Sequence, residues 1–277
     1  VAPAMNRQMW ENPATQRNVA QLRADGVFVL EVGQGDQACG ETGDGRMLEP
    51  DELVHDLVHF FQPKTLLGQH VLVSAGPTFE DLDPVRYLGN RSSGKMGFAL
   101  ASEAAAMGAR VTLIAGPVSL ATPRGVARRD VQSAMQMREA VMQSVGNSDI
   151  FIGVAAVADY RPAAPAVHKI KKAGKQEALT IELTENPDIL AEVASLPAAP
   201  FCVGFAAESR DLAKYAESKR IAKKLQLVVG NLVQDGLGGD CNSVTLFDDT
   251  GQYPLPPAEK IAVARAIVSH IANLLEQ

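Results

Sequence analysis

The residues best suited to chemistry fall in a few short stretches. The first is Asp83-Pro84-Val85-Arg86-Tyr87-Leu88-Gly89-Asn90-Arg91-Ser92-Ser93-Gly94-Lys95-Met96-Gly97. Here glycines, hydroxyls, an amide and several cations stand before an alanine-rich segment at 98–107 that reads as a helix. Glycines let backbone N–H groups approach a ligand, and the positive end of a helix favours an anion. The stretch therefore predicts phosphate binding, against the plainer reading of a flexible connector. Two familiar phosphate loops do not fit it. Gly89 to Met96 is one residue short of a P-loop and has Met96 where a magnesium-holding Ser or Thr belongs. Gly89, Gly94 and Gly97 also lack the G-x-G-x-x-G spacing of a dinucleotide turn.

The cations form a second set. Lys219 and Lys223 are four apart on a helical pattern, where like charges cost about 0.2–0.5 kcal/mol per pair. A polyanion would relieve that repulsion. Lys169, Lys171 and Lys172 follow His168 in a loop-like segment that reads as a solvated charge run. With a net charge of −6, two basic clusters suit a triphosphate better than a nucleic acid. Asp159 follows the apolar run 151–157, where an acid can hold a sugar hydroxyl or magnesium, or merely cap a turn. Phe205 can pack on a nucleobase or simply belong to the core. Asn186-Pro187-Asp188 reads as a helix entry capped by Asn186. His55-Asp56-Leu57-Val58-His59 imitates a zinc-binding H-E-x-x-H, but no third ligand is evident and the segment is an ordinary amphipathic helix. Cys39 sits in a glycine-rich loop and can serve as proton donor or nucleophile. Cys202 lies within an apolar run and reads as core.

These residues need a scaffold. From His70 onward, apolar runs at 71–75, 111–115, 150–157, 201–205 and 227–229 alternate with helical patterns at 98–107, 133–145, 187–195 and 211–225. Continuous apolar runs suit strands buried on both faces. The alternation predicts an α/β fold: a Rossmann-like parallel sheet flanked by helices, with a C-terminal β-hairpin around Asp249-Thr250-Gly251 and a last helix over 258–276. Ligands of such sheets bind beyond the carboxyl ends of the strands. The segments after Ala75, Val157 and Phe205 are therefore expected around one crevice. Residues 1–61 read as a separate α/β fragment, with helices opened by Pro13 and Pro50 and a short strand at 27–30; 62–69 reads as a linker and 70–277 as the second domain. Near-zero mean hydropathy and the lack of an apolar run of ~18 residues exclude a helical membrane span. Three scattered cysteines predict a reducing, cytoplasmic setting. The opening Val1-Ala2-Pro3-Ala4-Met5-Asn6 has no start methionine and no signal-peptide layout, which suggests a longer parent chain.

The motifs also carry a resemblance. Pro3-Ala4-Met5-Asn6, Ala38-Cys39-Gly40, Ala75-Gly76-Pro77-Thr78, Asp83-Pro84-Val85-Arg86-Tyr87, Asn90 with Ser92 to Gly97, Ala155 to Tyr160, Lys169 to Lys172, Asn186 to Ile189 and Gly204 to Glu208 occur in order along nearly the whole chain. In these it resembles the bacterial bifunctional family of coenzyme A biosynthesis that joins phosphopantothenoylcysteine decarboxylase to phosphopantothenate–cysteine ligase. The resemblance implies a complete ligase domain using CTP with Mg2+, 4′-phosphopantothenate and L-cysteine. It assigns nucleotide contacts to Ala155, Ala156, Asp159 (which would also be the magnesium candidate), Lys169, Pro187, Asp188, Ile189, Leu190, Phe205, Lys219 and Lys223. It assigns the acyl-transfer step to Asn90, as an amide donor, with Lys169 and Arg86 as catalytic cations, and substrate contacts to Gly76, Arg86 and Asn90. Residues 1–61 would be the end of a flavoprotein-type decarboxylase domain. There Asn6 would hold substrate, Cys39 would return a proton, and FMN would bind only in a full-length parent. A homodimer through the ligase domain is implied. The alternatives are a nicotinamide-dependent Rossmann-type oxidoreductase, weakened by the missing fingerprint, and a first part acting as an oligomerisation surface.

Overall fold

The computed structural model describes residues 1–38, 40–171, 178–232 and 239–276. The chain divides into two compact units, Val1–Pro63 and Lys64–Gln277.

In the second unit, eight strands form one sheet: β3 (His70–Ala75), β6 (Arg110–Ala115), β7 (Val126–Asp130), β8 (Ile150–Gly153), β11 (Phe201–Glu208), β12 (Leu227–Leu232), β14 (Thr245–Phe247) and β15 (Gln252–Pro254). Their order is β7-β6-β3-β8-β11-β12-β14-β15. The first six run parallel and the last two, a hairpin, antiparallel. Taken in chain order, the parallel strands read 3-2-1-4-5-6, so the sheet is doubly wound and its order reverses between β3 and β8. Every residue of β3 is buried, as befits a central strand covered on both faces. On one face lie α4 (Lys95–Ala106) and α8 (Lys260–Leu275), whose Leu100, Ala101, Ala104, Val263, Ile267 and Ile271 join the core of β3 and β6. On the other, α5 (Ala134–Val145), α6 (Ile189–Ala194) and α7 (Leu212–Ala222) cover Leu72, Phe151, Cys202 and Val228. Residues 64–69 pack on this unit: Leu66 is 1% exposed, its N–H bonds the Met107 carbonyl, and Lys64 Nζ bonds the Ala106 carbonyl at 2.6 Å.

Several elements differ from expectation for identifiable reasons. The run 150–157 forms a strand only to Gly153; beyond it the chain leaves the sheet, keeping one bridge between Pro77 and Ala156. The interval after β3 is not a plain loop but a hairpin, β4 (Phe79–Asp83) with β5 (Arg86–Gly89). Its acidic, weakly alternating sequence carries little strand signal. Short strands β9 (Tyr160–Pro162) and β10 (Leu183–Glu185) pair across the lysine segment, and β13 (Cys241–Asn242) pairs with β16 (Ala258–Glu259).

The first unit holds α1 (Arg7–Glu11), α2 (Pro13–Ala24), the antiparallel pair β1 (Gly33–Asp36) and β2 (Thr42–Arg46), and α3 (Pro50–Phe61). Pro13 and Pro50 open their helices as read. The strand expected at 27–30 is absent; Val29 and Leu30 are buried without pairing in a sheet. The strands that do form are rich in glycine and polar residues, the composition least suggestive of strand. Val54, Leu57, Val58 and Phe61 stay exposed at helical spacing on α3.

Candidate functional site

Where the strand order reverses, the carboxyl ends of β3, β8 and β11 open into a crevice of about 380 Å³. Ala155, Ala156 and Asp159 line one side of it. Pro187, Asp188, Ile189 and Leu190 line a second, and Phe205, Lys219 and Lys223 a third. Ten of the expected nucleotide contacts thus meet around one space. The segment 154–158 gets there because its main chain is tied to the turn after β3. Ala156 N–H donates to the Gly76 carbonyl at 2.9 Å, and Ala158 N–H donates to Thr78 Oγ1 at 3.0 Å. Gly76 adopts φ +79° at the end of β3, a left-handed turn that favours glycine.

The two lysines are held differently. Lys219 Nζ donates to the Phe205 carbonyl at 2.6 Å, and burial, then repulsion from Lys223, lowers its pKa. Lys223 pairs with Asp188. Asp188 also caps α6, its Oδ1 accepting from Ala191 N–H at 3.0 Å. Burial alone would raise its pKa, but Lys223 and the Ala191 N–H outweigh that and keep it low. The cap of α6 is therefore Asp188 and not Asn186. The Asn186 side chain turns back instead, donating to the Ala158 carbonyl at 2.8 Å and accepting from Arg161 at 2.9 Å. Asp159 is exposed, and its carbonyl accepts from Asn186 N–H at 2.8 Å.

Asn90 approaches from the glycine-rich stretch. Its Nδ2 donates to the carbonyls of Ala156 at 2.9 Å and Val157 at 3.2 Å. Two carbonyls can be met only by the NH2 end, so chemistry fixes the amide's orientation. Both amide hydrogens are thereby occupied, and the acceptor Oδ1 is the end left for a ligand. Asn90, expected as an amide donor to the acyl group, has its Nδ2 engaged by main chain in this structure. The glycines nearby have structural work of their own. A Cβ on Gly97 would come within 2.4 Å of Ala75 Cβ, and Gly94 caps α4 in the left-handed region at φ +76°. They allow close packing of helix on strand and are not by themselves a phosphate signature. Ser92 to Gly97 instead line a second cavity of about 160 Å³ with Asn231, Asn242 and Lys260, sharing Ala156 and Phe205 with the first.

Gly76, Arg86, Asn90 and Lys169 do not line the crevice. The Arg86 guanidinium bonds Asp83, with Nη2 at 2.5 Å, and reaches the Ile170 carbonyl at 2.7 Å. Lys169 is exposed. Cys39 lies outside the described residues, as does Lys172. Asn6 belongs to the first unit, where its Oδ1 caps α1 by accepting from Met9 N–H at 2.9 Å. Burial pushes the Cys202 thiol up to about 11, which suits an inert core residue. Sequence reasoning missed Thr78, fully buried, and Asp83, 2% exposed; a threonine after a proline and an aspartate before one carry no chemical signature.

A doubly wound α/β domain with a lysine-rimmed crevice at its topological switch point is thus the class defined by fold and site. Comparison with known proteins places it more narrowly. Residues 66–275 match the model of the DNA/pantothenate metabolism flavoprotein C-terminal domain, and residues 1–62 match the Flavoprotein model. The coenzyme A biosynthesis bifunctional protein CoaBC of Vibrio cholerae is 52% identical over 97% of this chain and 68% of its own length. That of Escherichia coli is 46% identical over the whole chain and 70% of its own. A crystal structure of the C-terminal domain of a CoaBC protein superimposes with TM-score 0.67 at 39% identity, covering 77% of this chain and 98% of that one. The chain belongs to the CoaBC family of coenzyme A biosynthesis proteins. No helix among the described residues is long and apolar enough to cross a membrane.

Proposed function

We propose that the second unit joins 4′-phosphopantothenate to L-cysteine at the expense of CTP. The observation that carries this reading is the crevice itself. Two lysines, the aromatic ring of Phe205 and the main chain of 155–156 surround one space at the switch point, the parts needed to hold a nucleotide triphosphate. A carboxylate cannot acylate an amine until its oxygen becomes a leaving group. In the first step a substrate carboxylate oxygen attacks the α-phosphorus and pyrophosphate departs. In the second, the amine attacks the acyl carbon, CMP leaves with the former carboxylate oxygen, and the nitrogen loses a proton. Lys219 and Lys223 balance the triphosphate charge. Asn90 Oδ1 accepts from the attacking amine while its Nδ2 holds the 156–157 carbonyls in place. The nicotinamide alternative has the sheet order in its favour but lacks the glycine fingerprint that holds a dinucleotide.

Magnesium fits this site only as a companion of the triphosphate. Among the described residues no group of three acidic, His or Cys side chains is placed to hold a metal ion, and Asp188 is engaged by Lys223. Asp159 would supply the single carboxylate that magnesium takes alongside phosphates and water; the ion would supply charge neutralisation. Among the described residues of the first unit, the groove lined by Arg7, Glu11, Gln34, Gly35, Thr42, Gly43 and Asp44 does not fit a flavin, having no aliphatic or aromatic wall for an isoalloxazine ring. No step is therefore derived through FMN, and decarboxylation, with Asn6 and Cys39 in the assigned roles, is proposed only for a longer parent chain. The test is pyrophosphate release that requires CTP, phosphopantothenate and cysteine together for full turnover. Tight NADPH binding without such release would overturn the reading.

A further inference from the structure

The β4–β5 hairpin carries an ion pair between the buried Asp83 and the exposed Arg86, whose contacts do not stay in the hairpin. Asp83, 2% exposed, accepts five hydrogen bonds. Its Oδ1 takes the N–H groups of Val85 and Arg86 at 2.8 and 2.9 Å, closing the turn. Its Oδ2 takes Arg86 Nε and Nη2 at 3.0 and 2.5 Å, and also the N–H of Ile170 at 3.1 Å. Arg86 Nη2 in turn donates to the Ile170 carbonyl at 2.7 Å. A pair that merely closed a turn would have no reason to leave it. Here both outward contacts end on one residue, 84 to 87 positions along the chain.

Those contacts hold two consecutive peptide groups. The Ile170 N–H belongs to the peptide shared with Lys169, and the Ile170 carbonyl to the peptide shared with Lys171. Ala166 N–H adds a tie to the Leu82 carbonyl at 2.9 Å. The Lys169 and Lys171 side chains are exposed, and the grip on Ile170 ties their main chain to the hairpin. Charge-assisted bonds of this kind are about twice as strong as neutral ones.

We propose that Asp83 is a positioning residue of the ligase: together with Arg86 it grips the chain on both sides of Ile170 and so sets Lys169 for the phosphates of the nucleotide. The proposal rests on the CTP reading above and gives Arg86 a different task from the substrate contact expected of it. Arg86 acts through the lysine segment.

A double-mutant cycle tests it in the full chain, using CTP-dependent pyrophosphate release. Asp83→Asn and Lys169→Gln are each expected to lower kcat/KM for CTP by about tenfold or more, and Asp83→Asn to change it less than about threefold in the Lys169→Gln background. Arg86→Gln should behave in the same way. Losses that simply multiply would overturn the proposal. The second readout needs no activity: cleavage of the Lys169–Ile170 bond by a lysine-specific protease, mapped by mass, should accelerate in Asp83→Asn and Arg86→Gln relative to wild type. Unchanged cleavage in both variants would overturn the clamp. Should Asp83→Asn not fold, Arg86→Gln alone decides by both readouts. If wild type releases no pyrophosphate, the CTP reading falls, and the cleavage rates still judge the grip on Ile170.

Discussion

The crevice has two unlike walls. The wall made by β11, α6 and α7 is assembled from lysine side chains and their partners: Lys223 with the Asp188 carboxylate, Lys219 with the Phe205 carbonyl. The wall made by residues 155–159 is set by main chain, with Ala156 tied to Gly76 and the 156–157 carbonyls tied to Asn90, both behind the lining. The first presents charge and an aromatic surface; the second presents backbone fixed from behind. Under the proposed function the first wall grips the nucleotide and the second aligns it, so substitutions at and behind the two walls should divide between affinity and turnover.

The strongest test of that division is Lys219→Met. Losing a charge-assisted contact worth about 1.5–3 kcal/mol should raise the KM for CTP by one to two orders of magnitude with a smaller change in kcat; a pure kcat effect would break the contrast. Asn90→Ala should do the reverse, leaving CTP binding largely intact while kcat falls. Asn90→Asp should be worse, since a carboxylate would face two carbonyl oxygens; normal amide formation by either variant would sink the assignment. Gly97→Ala strikes neither wall directly. Overpacking against Ala75 is expected to cost about 1–3 kcal/mol, read as a lowered Tm with CTP affinity near normal.

The pH dependence sharpens the contrast further. Lys219 has its pKa lowered by burial, so the charge proposed to grip the nucleotide is complete at low pH and is lost as pH rises through a value below the ordinary lysine range. CTP affinity should decline on the alkaline side earlier than an exposed lysine would dictate. Lys219→Arg, which stays protonated, should remove that early decline. The smallest effect is expected from Lys95→Ala. Its pair with Asp240 is partly to largely exposed, and such surface pairs contribute about 0–1 kcal/mol.

The two walls also differ in how far they could be read from sequence. The grip was legible: lysines four apart, an aromatic at a strand end and Asn186-Pro187-Asp188 all pointed to their places, although the cap proved to be Asp188. The alternating pattern from residue 70 likewise foretold the parallel sheet and the crevice at its strand ends. The aligning wall was not legible, because main-chain hydrogen bonds leave no side-chain signature. Asn90 could be noticed, but that its NH2 would be spent on Ala156 and Val157 depends on a strand that ends at Gly153. The β4–β5 hairpin escaped for a related reason. Its strands are short and the first is largely acidic, and the stacking of Phe79 on Tyr87 and the reach of the Asp83–Arg86 pair to Ile170 emerge only in three dimensions.

Ala156 lends both of its peptide groups to this architecture, its N–H to Gly76 and its carbonyl to Asn90. A position used through its main chain has no side chain whose loss would disclose its importance. Replacing Ala156 by another small residue should leave those bonds in place. A scan of point substitutions would therefore register the role of Ala156 at Gly76 and Asn90, and would pass over the residue whose backbone joins them.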